Sequence, residues 1–221
     1  DYQLTREAMD DYAAQSQARA LAAIESGFLA QQIEPVEVKQ KRQTITFDRD
    51  ECPRADATLE KLTSLRPAFR EGGKVTAGNA STVNDAAAFV LVGDRDALEA
   101  EGAKPRAKIT DWVCVGVPPR IMGHGPVPAI QKLLEKTGLS IGDIDYFEVN
   151  EAFAAVNVHV EQQLGVPRDI HNAYGGGISL GHPPGVTGVR MCLTAMQHLE
   201  ATGGKRAILS MCLGAGQGMA M

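Results

Sequence analysis

Apolar residues recur along this chain in two rhythms. From Leu4 to Ser26 the positions Met9, Tyr12, Ala13, Ala20, Ala23 and Ile24 fall at helical spacing, with Thr5 placed to cap the start and Gly27 to end it. Ile33 to Val38 and Gln43 to Phe47 alternate instead, which predicts two short strands, and Thr58 to Leu65 predicts a short helix. Asn84 to Phe89 reads as a helix grading into a buried strand at Val90-Leu91-Val92, and Asp94 to Glu101 as a short acidic helix stopped by Gly102. Lys108 to Val115 reads as a strand, and a helix runs from the Pro126 region to Lys136, ended by Gly138.

The second half of the chain is more regular. Ser140 caps a turn with Asp143, Tyr146 to Val149 forms a strand, and Ala152 to Leu164 a helix closed by Gly165. Val189, Cys192, Leu193, Met196 and Leu199 mark another helix up to Gly203, followed by a strand from Lys205 to Met211 and a last stretch turning back toward a terminal strand. Strands alternating with helices in this way predict an α/β layered fold with helices on both faces of a sheet.

Composition narrows the class without deciding it. At 221 residues, 44% hydrophobic and 22% charged, the chain is long enough for a substantial core. A net charge of −5 argues against general binding to nucleic acid or membrane surfaces. No run is long and apolar enough to cross a bilayer, and Asp1 to Asp11 lacks the basic start and apolar core of a secretory signal, so cytoplasm or an organelle matrix is expected. Cys52, Cys114, Cys192 and Cys212 have neither paired nor zinc-like spacing, which fits a reducing compartment and no metal site. Cys114 and Cys192 sit in apolar runs and read as core packing.

The chemistry gathers in three segments. Gly175 to Gly188 is crowded with glycine, holds His182 in its middle, and stiffens directly after it with Pro183-Pro184. Alone, such a run is as readily a connector between strand and helix. Upstream lie Asn150-Glu151-Ala152-Phe153, and downstream Cys212-Leu213-Gly214-Ala215-Gly216. An Asn, a His and a Cys at successive strand-to-loop transitions supply a polar clamp, a base, and an acid or nucleophile. His124, His159 and His198 read as surface or packing residues, and His171 has no motif around it.

Together and in this order, the three segments closely resemble the carboxyl-terminal half of thiolases, enzymes that make and break 3-ketoacyl-CoA thioesters. The resemblance implies a thiolase-like layered fold. It divides the chain into part of a CoA-binding loop domain (1–78), a closing helix and strand of the amino-terminal half (79–105), and the carboxyl-terminal domain (106–221). It implies that His182 activates a nucleophilic cysteine and donates to the thioester oxygen, and that Cys212 moves the α-carbon proton. Asn150 would complete one oxyanion hole through a water, and the Gly214 amide would serve the other. A thiol at such a turn, starting from about 8.5, is expected to be lowered by imidazole and backbone amides.

By the same resemblance Leu65 to Phe69 and Val75 to Ser81 look like the end of the CoA loop, placing Arg54, Ala77 and Ser81 on coenzyme A. A guanidinium suits phosphate, and Ser81 beside the amides of a helix start suits pantetheine or phosphate oxygens. Met122 and Phe153 would wall the acyl pocket, although Phe153 reads equally as a core aromatic. Coenzyme A is then a substrate rather than a resident cofactor, and homo- or hetero-oligomers are expected.

One part of the pattern is missing. In thiolases the sulfur that becomes acylated lies in the amino-terminal half, in a motif that would precede Asp1, and Cys52, in a charged loop before Pro53, is no substitute. The chain also stops at Met221, short of the family's usual final strand, which predicts a weakened closing edge. The leading expectation is one piece of a thiolase, completed by an amino-terminal portion or second subunit carrying the nucleophile. The alternatives are a noncatalytic CoA-binding or scaffolding subunit, and a different acyl-condensing enzyme of the same fold.

Overall fold

The computed structural model describes residues 2–221. Its centre is a four-stranded mixed sheet of β3 (Val113–Gly116), β4 (Tyr146–Val149), β5 (Ala207–Leu213) and β6 (Gln217–Ala220) in the order β3-β6-β5-β4. β4 and β5 run parallel, and the other two pairings are antiparallel. The terminal strand β6 therefore lies inside the sheet between β3 and β5, not at a weakened edge.

Alternation along β4 sorts the layers. Phe147 and Val149 point to one face, where they meet Val127, Ile130, Leu133 and Leu134 of α4 (Pro126–Thr137) and Val156 and Val160 of α5 (Ala154–Leu164). Tyr146 and Glu148 point to the other, where they meet His198 and Arg190 of α6 (Thr187–Thr202). Helices thus cover both faces. Gly138, Gly165 and Gly203, at φ of 69°, 66° and 73°, end α4, α5 and α6 in the left-handed conformation that favours glycine.

The long helix α1 (Arg6–Glu25) is capped by Thr5, whose side chain accepts from the Ala8 amide. It lies across α5, burying Met9, Tyr12 and Ala13 against Ala154, Val158 and Ile178. Its buried face also carries Asp10, Ser16 and Gln17, because it covers the polar heart of the site. Beyond it come the hairpin of β1 (Val36–Gln40) and β2 (Gln43–Phe47), exposed along its whole length, and the short helices α2 (Leu59–Thr63) and α3 (Arg95–Ala100). No described helix is long and apolar enough to cross a membrane.

Three expectations fail here. Residues 84–92 form neither helix nor strand; Val83, Phe89, Leu91 and Val92 are 98%, 91%, 81% and 69% exposed, because no neighbouring strand within the described residues pairs with them. The strand expected from Lys108 begins only at Val113, where β6 provides a partner. Cys114 is exposed rather than core, and Cys192 is half-buried.

Candidate active site

The start of the glycine run is packed against Glu151 and Ser179. Glu151 is buried directly after β4, and a Cβ on Gly176 would sit 2.5 Å from its Cδ. A Cβ on Gly177 would approach the Glu151 carbonyl oxygen at 3.0 Å, and one on Gly175 would strike Ser179 Oγ at 2.5 Å. Only bare backbone can fold this closely over the Asn150-Glu151 turn. In return Glu151 Oε2 accepts from the Ile178 amide (3.1 Å) and Ser16 Oγ (2.7 Å), while Oε1 accepts from Tyr12 Oη and Asn172 Nδ2, both at 3.1 Å.

His182 emerges from this loop just before α6. Its Nδ1 lies 2.7 Å from Thr187 Oγ1, and that hydroxyl donates its single proton to the Pro183 carbonyl at 3.0 Å. The hydroxyl must then accept from Nδ1–H, which leaves Nε2 unprotonated. Asn150 Nδ2 faces Nε2 at 3.3 Å. Burial, with a smaller effect from the Arg190 guanidinium, holds the imidazole below its ordinary pKa, so it stands as a neutral base. Asn150 is thus on the histidine itself, and its Oδ1 is buried without a partner among the described residues.

Cys212 lies inside β5, opposite Gly218 of β6, rather than beyond the strand's end. The backbone amide of Asn150 donates to the Ser210 carbonyl at 2.9 Å, so Asn150 and Cys212 both lie toward the carboxyl ends of the same parallel pair. Burial raises the Cys212 thiol above its ordinary pKa, against the expected lowering; a backbone hydrogen bond offsets this only partly. A protonated thiol suits an acid better than a resting nucleophile. Gly214 is exposed in the turn between β5 and β6, with open space where a Cβ would point.

Sequence reading missed the support from the first hundred residues. Asn84 Oδ1 accepts from the His182 amide at 3.1 Å and from Thr82 Oγ1 at 2.7 Å, while its Nδ2 donates to Cys52 Sγ at 3.0 Å. Gly181, at φ 99°, is needed because a Cβ would meet Asn84 Oδ1 at 2.5 Å. Cys52 is half-buried, behind the asparagine that seats the histidine loop. These contacts span 98 residues or 32 in sequence, beyond the reach of periodicity.

Residues 1–96 match the family described as "Thiolase, N-terminal domain", and residues 103–221 that described as "Thiolase, C-terminal domain". The chain belongs to the thiolase family. It is 45% identical to the acetyl-CoA acetyltransferase of Escherichia coli over 221 residues, covering 100% of this chain and 56% of that protein. It is 44% identical to a beta-ketoadipyl-CoA thiolase of Pseudomonas putida, with the same two coverages. The fold superposes on the Bacillus anthracis acetyl-CoA acetyltransferase with a TM-score of 0.95 at 45% identity, over 99% of this chain and 56% of that one. It superposes on human mitochondrial 3-ketoacyl-CoA thiolase in complex with CoA with a TM-score of 0.89 at 42% identity, over 98% and 54%. The chain therefore spans little more than half the length of the thiolases it matches.

Within this thiolase fold the residues expected on coenzyme A are exposed or half-buried. Arg54 and Ala77 are exposed and Ser81 is half-buried. The Ser81 amide is taken by the Ala152 carbonyl at 3.0 Å and no helix follows it, so the expected amides of a helix start are absent. Instead Asn79 to Ser81 is stitched to the start of α5: the Ala154 amide donates to the Asn79 carbonyl at 2.9 Å, and Ala80 bridges Phe153. Met122 and Phe153 are both half-buried, with the Phe153 ring edge-on to Phe69 at 6.2 Å.

The remaining histidines pack elsewhere. His124, read as a surface residue, is half-buried and its Nδ1 lies 2.9 Å from Nε2 of buried His159, with Tyr2 stacked on His124 and tilted over His159. His171 is buried between Glu161 and Asn157, and His198 pairs with Tyr174. No group of three or more His, Cys, Asp or Glu among the described residues is placed to hold a metal ion.

Proposed function

We propose that this chain is the proton-handling part of a thiolase that reversibly condenses or cleaves 3-ketoacyl-CoA thioesters, with its acyl-carrying sulfur supplied by protein outside these 221 residues. The observation that carries the reading is the neutral His182, its unprotonated Nε2 faced by Asn150. In cleavage, Nε2 takes the proton of the attacking thiol, the thiolate adds to the 3-keto carbon, and the bond between C2 and C3 breaks. The Cys212 thiol then gives its proton to C2, releasing acetyl-CoA and leaving the acyl group on the sulfur. The Cys212 thiolate next takes the proton of a CoA thiol, the CoA sulfur takes the acyl group, and the released sulfur regains its proton from His182. Asn150 and the Gly214 amide serve the two oxyanions.

Coenzyme A binds as a substrate, with Arg54 toward phosphate and Ala77 and Ser81 toward pantetheine, and the acyl group enters between Met122 and Phe153. Completion by further protein is supported by the exposed apolar run at Phe89, Leu91 and Val92. It is supported again by an open apolar groove beside α6, lined by Met191, Leu209, Met211, Met219 and Met221. The complementary part is an amino-terminal thiolase portion or a second subunit, within a homo- or hetero-oligomer. The setting is fatty acid metabolism in the cytoplasm or an organelle matrix, in keeping with four free cysteines.

The test is to combine the chain with an amino-terminal portion of a thiolase and follow CoA-dependent cleavage of acetoacetyl-CoA. Activity that is lost in His182→Ala and Cys212→Ser supports the proposal. CoA binding without turnover favours a noncatalytic CoA-binding subunit, and turnover undiminished in both variants overturns the assignments.

A further inference from the structure

We infer that Glu151 is a positioning residue that sets the register of the Asn150–His182 pair, holding the histidine loop on one side and the asparagine turn on the other. The inference rests on the proposed role of that pair. Glu151 is 1% exposed and directly follows Asn150 in the chain. Its carboxylate takes the Ile178 amide at 3.1 Å, four residues before His182. It also grips the loop indirectly: Ser16 Oγ, 2.7 Å from Oε2, lies 2.8 Å from Ser179 Oγ. Ser179 in turn closes the turn, accepting from the Gly176 amide at 3.1 Å while the Leu180 amide donates to the Gly176 carbonyl at 2.7 Å. Only Ser179 to Gly181 separate the anchored Ile178 amide from His182.

The chemistry requires a carboxylate. All four contacts arrive as donors, and two of them, the Ile178 amide and Asn172 Nδ2, cannot reverse. A glutamine in either orientation would aim its NH₂ at one of these fixed donors. Aspartate would fall one methylene short and leave a void where Gly176 has made room. The donors come from α1, the glycine loop and the segment after Ile170, so the carboxylate also joins the two regions matched to the family's two domains.

The experiment is ¹⁵N NMR of the His182 imidazole in the 221-residue chain, with the signal assigned through His182→Gln. It needs no turnover, so its failure is distinct from failure of the thiolase proposal. Wild type should hold the Nδ1–H tautomer and titrate below 6.5. Glu151→Gln should mix the tautomers and move the titration up toward 6.5, whereas Leu134→Ala, in the core under α4, should lower Tm and leave His182 unchanged. Should E151Q fail to fold, Ser16→Ala reads the same quantity, with a smaller shift in the same direction. A wild-type tautomer and titration in the folded variant, E151Q or otherwise S16A, overturns the inference.

Discussion

Asn150 Nδ2 and His182 Nε2 lie 3.3 Å apart, and Thr187 decides what that contact means. Because the Thr187 hydroxyl is spent on the Pro183 carbonyl, it can only accept from Nδ1–H, and the imidazole presents its lone pair to the asparagine. Thr187→Val removes the acceptor and should cost about 1 kcal/mol of stability while releasing the tautomer. Thr187→Ser keeps the hydroxyl and should restore it. Imidazole ¹⁵N shifts read the tautomer directly; a Val variant that keeps the Nδ1–H form would contradict this account.

Gly181 tests how tightly the first hundred residues hold that histidine. At φ 99° an alanine is strained by about 1–3 kcal/mol, and its Cβ would sit 2.5 Å from Asn84 Oδ1, the acceptor for the His182 amide. Gly181→Ala should therefore lower the denaturation midpoint more than Gly185→Ala, where nothing lies within 4 Å and φ is not positive. Equal losses at the two sites would show that Asn84 does not seat the loop.

These contacts mark the limit of what the chain reveals as text. β4 was legible because all four of its residues are buried, and α4, α5 and α6 because a glycine in the left-handed region stops each. The motif residues Asn150, His182 and Cys212 announced themselves by type and order. Glu151, Asn84 and Cys52 did not, since their importance lies in partners as distant as 139 residues. The segment at 84–92 misled for the opposite reason: Val90-Leu91-Val92 has the composition of a strand, but a strand exists only where another pairs with it.

A buried charge pair behind the site gives a third prediction. Arg190 Nη1 meets Glu148 Oε1 at 2.7 Å, Tyr146 donates to the same carboxylate, and Arg190 Nε and Nη2 are buried without partners among the described residues. Burial pushes the Glu148 carboxyl up, with Arg190 opposing it. Arg190→Met strands the carboxylate and should cost about 3–5 kcal/mol. Adding Glu148→Leu removes the stranded charge and should recover part of that loss in urea denaturation. A double variant no more stable than R190M would mean the pair is not coupled.

The His124–His159 pair sets a pH dependence whose sign follows from burial. Burial lowers both imidazoles, His159 to about 4 with His124 adding to the effect, against 6.5 for an ordinary histidine. Between those values the unfolded chain binds more protons than the folded one, so stability rises with pH across the window. It is fully present above 6.5 and is lost as pH falls toward about 4. Denaturation midpoints at several pH values should show a shallower acid loss in His159→Leu than in wild type; parallel curves would refute it.

The last prediction concerns the unpaired run at 84–92. Phe89 and Leu91 are 91% and 81% exposed, so Phe89→Ser with Leu91→Ser removes little packing from this chain, and its Tm should change by less than about 0.5 kcal/mol would produce. If the run is the seam to the part that carries the acylated sulfur, the same double variant should weaken binding to an amino-terminal thiolase portion at least tenfold by titration calorimetry. The two readouts separate the possibilities. A large loss of Tm in the isolated chain would mean that these side chains are packed within it. Unchanged binding would move the seam to the groove beside α6, where Met221→Lys, at a half-buried position of its lining, should then disrupt assembly instead.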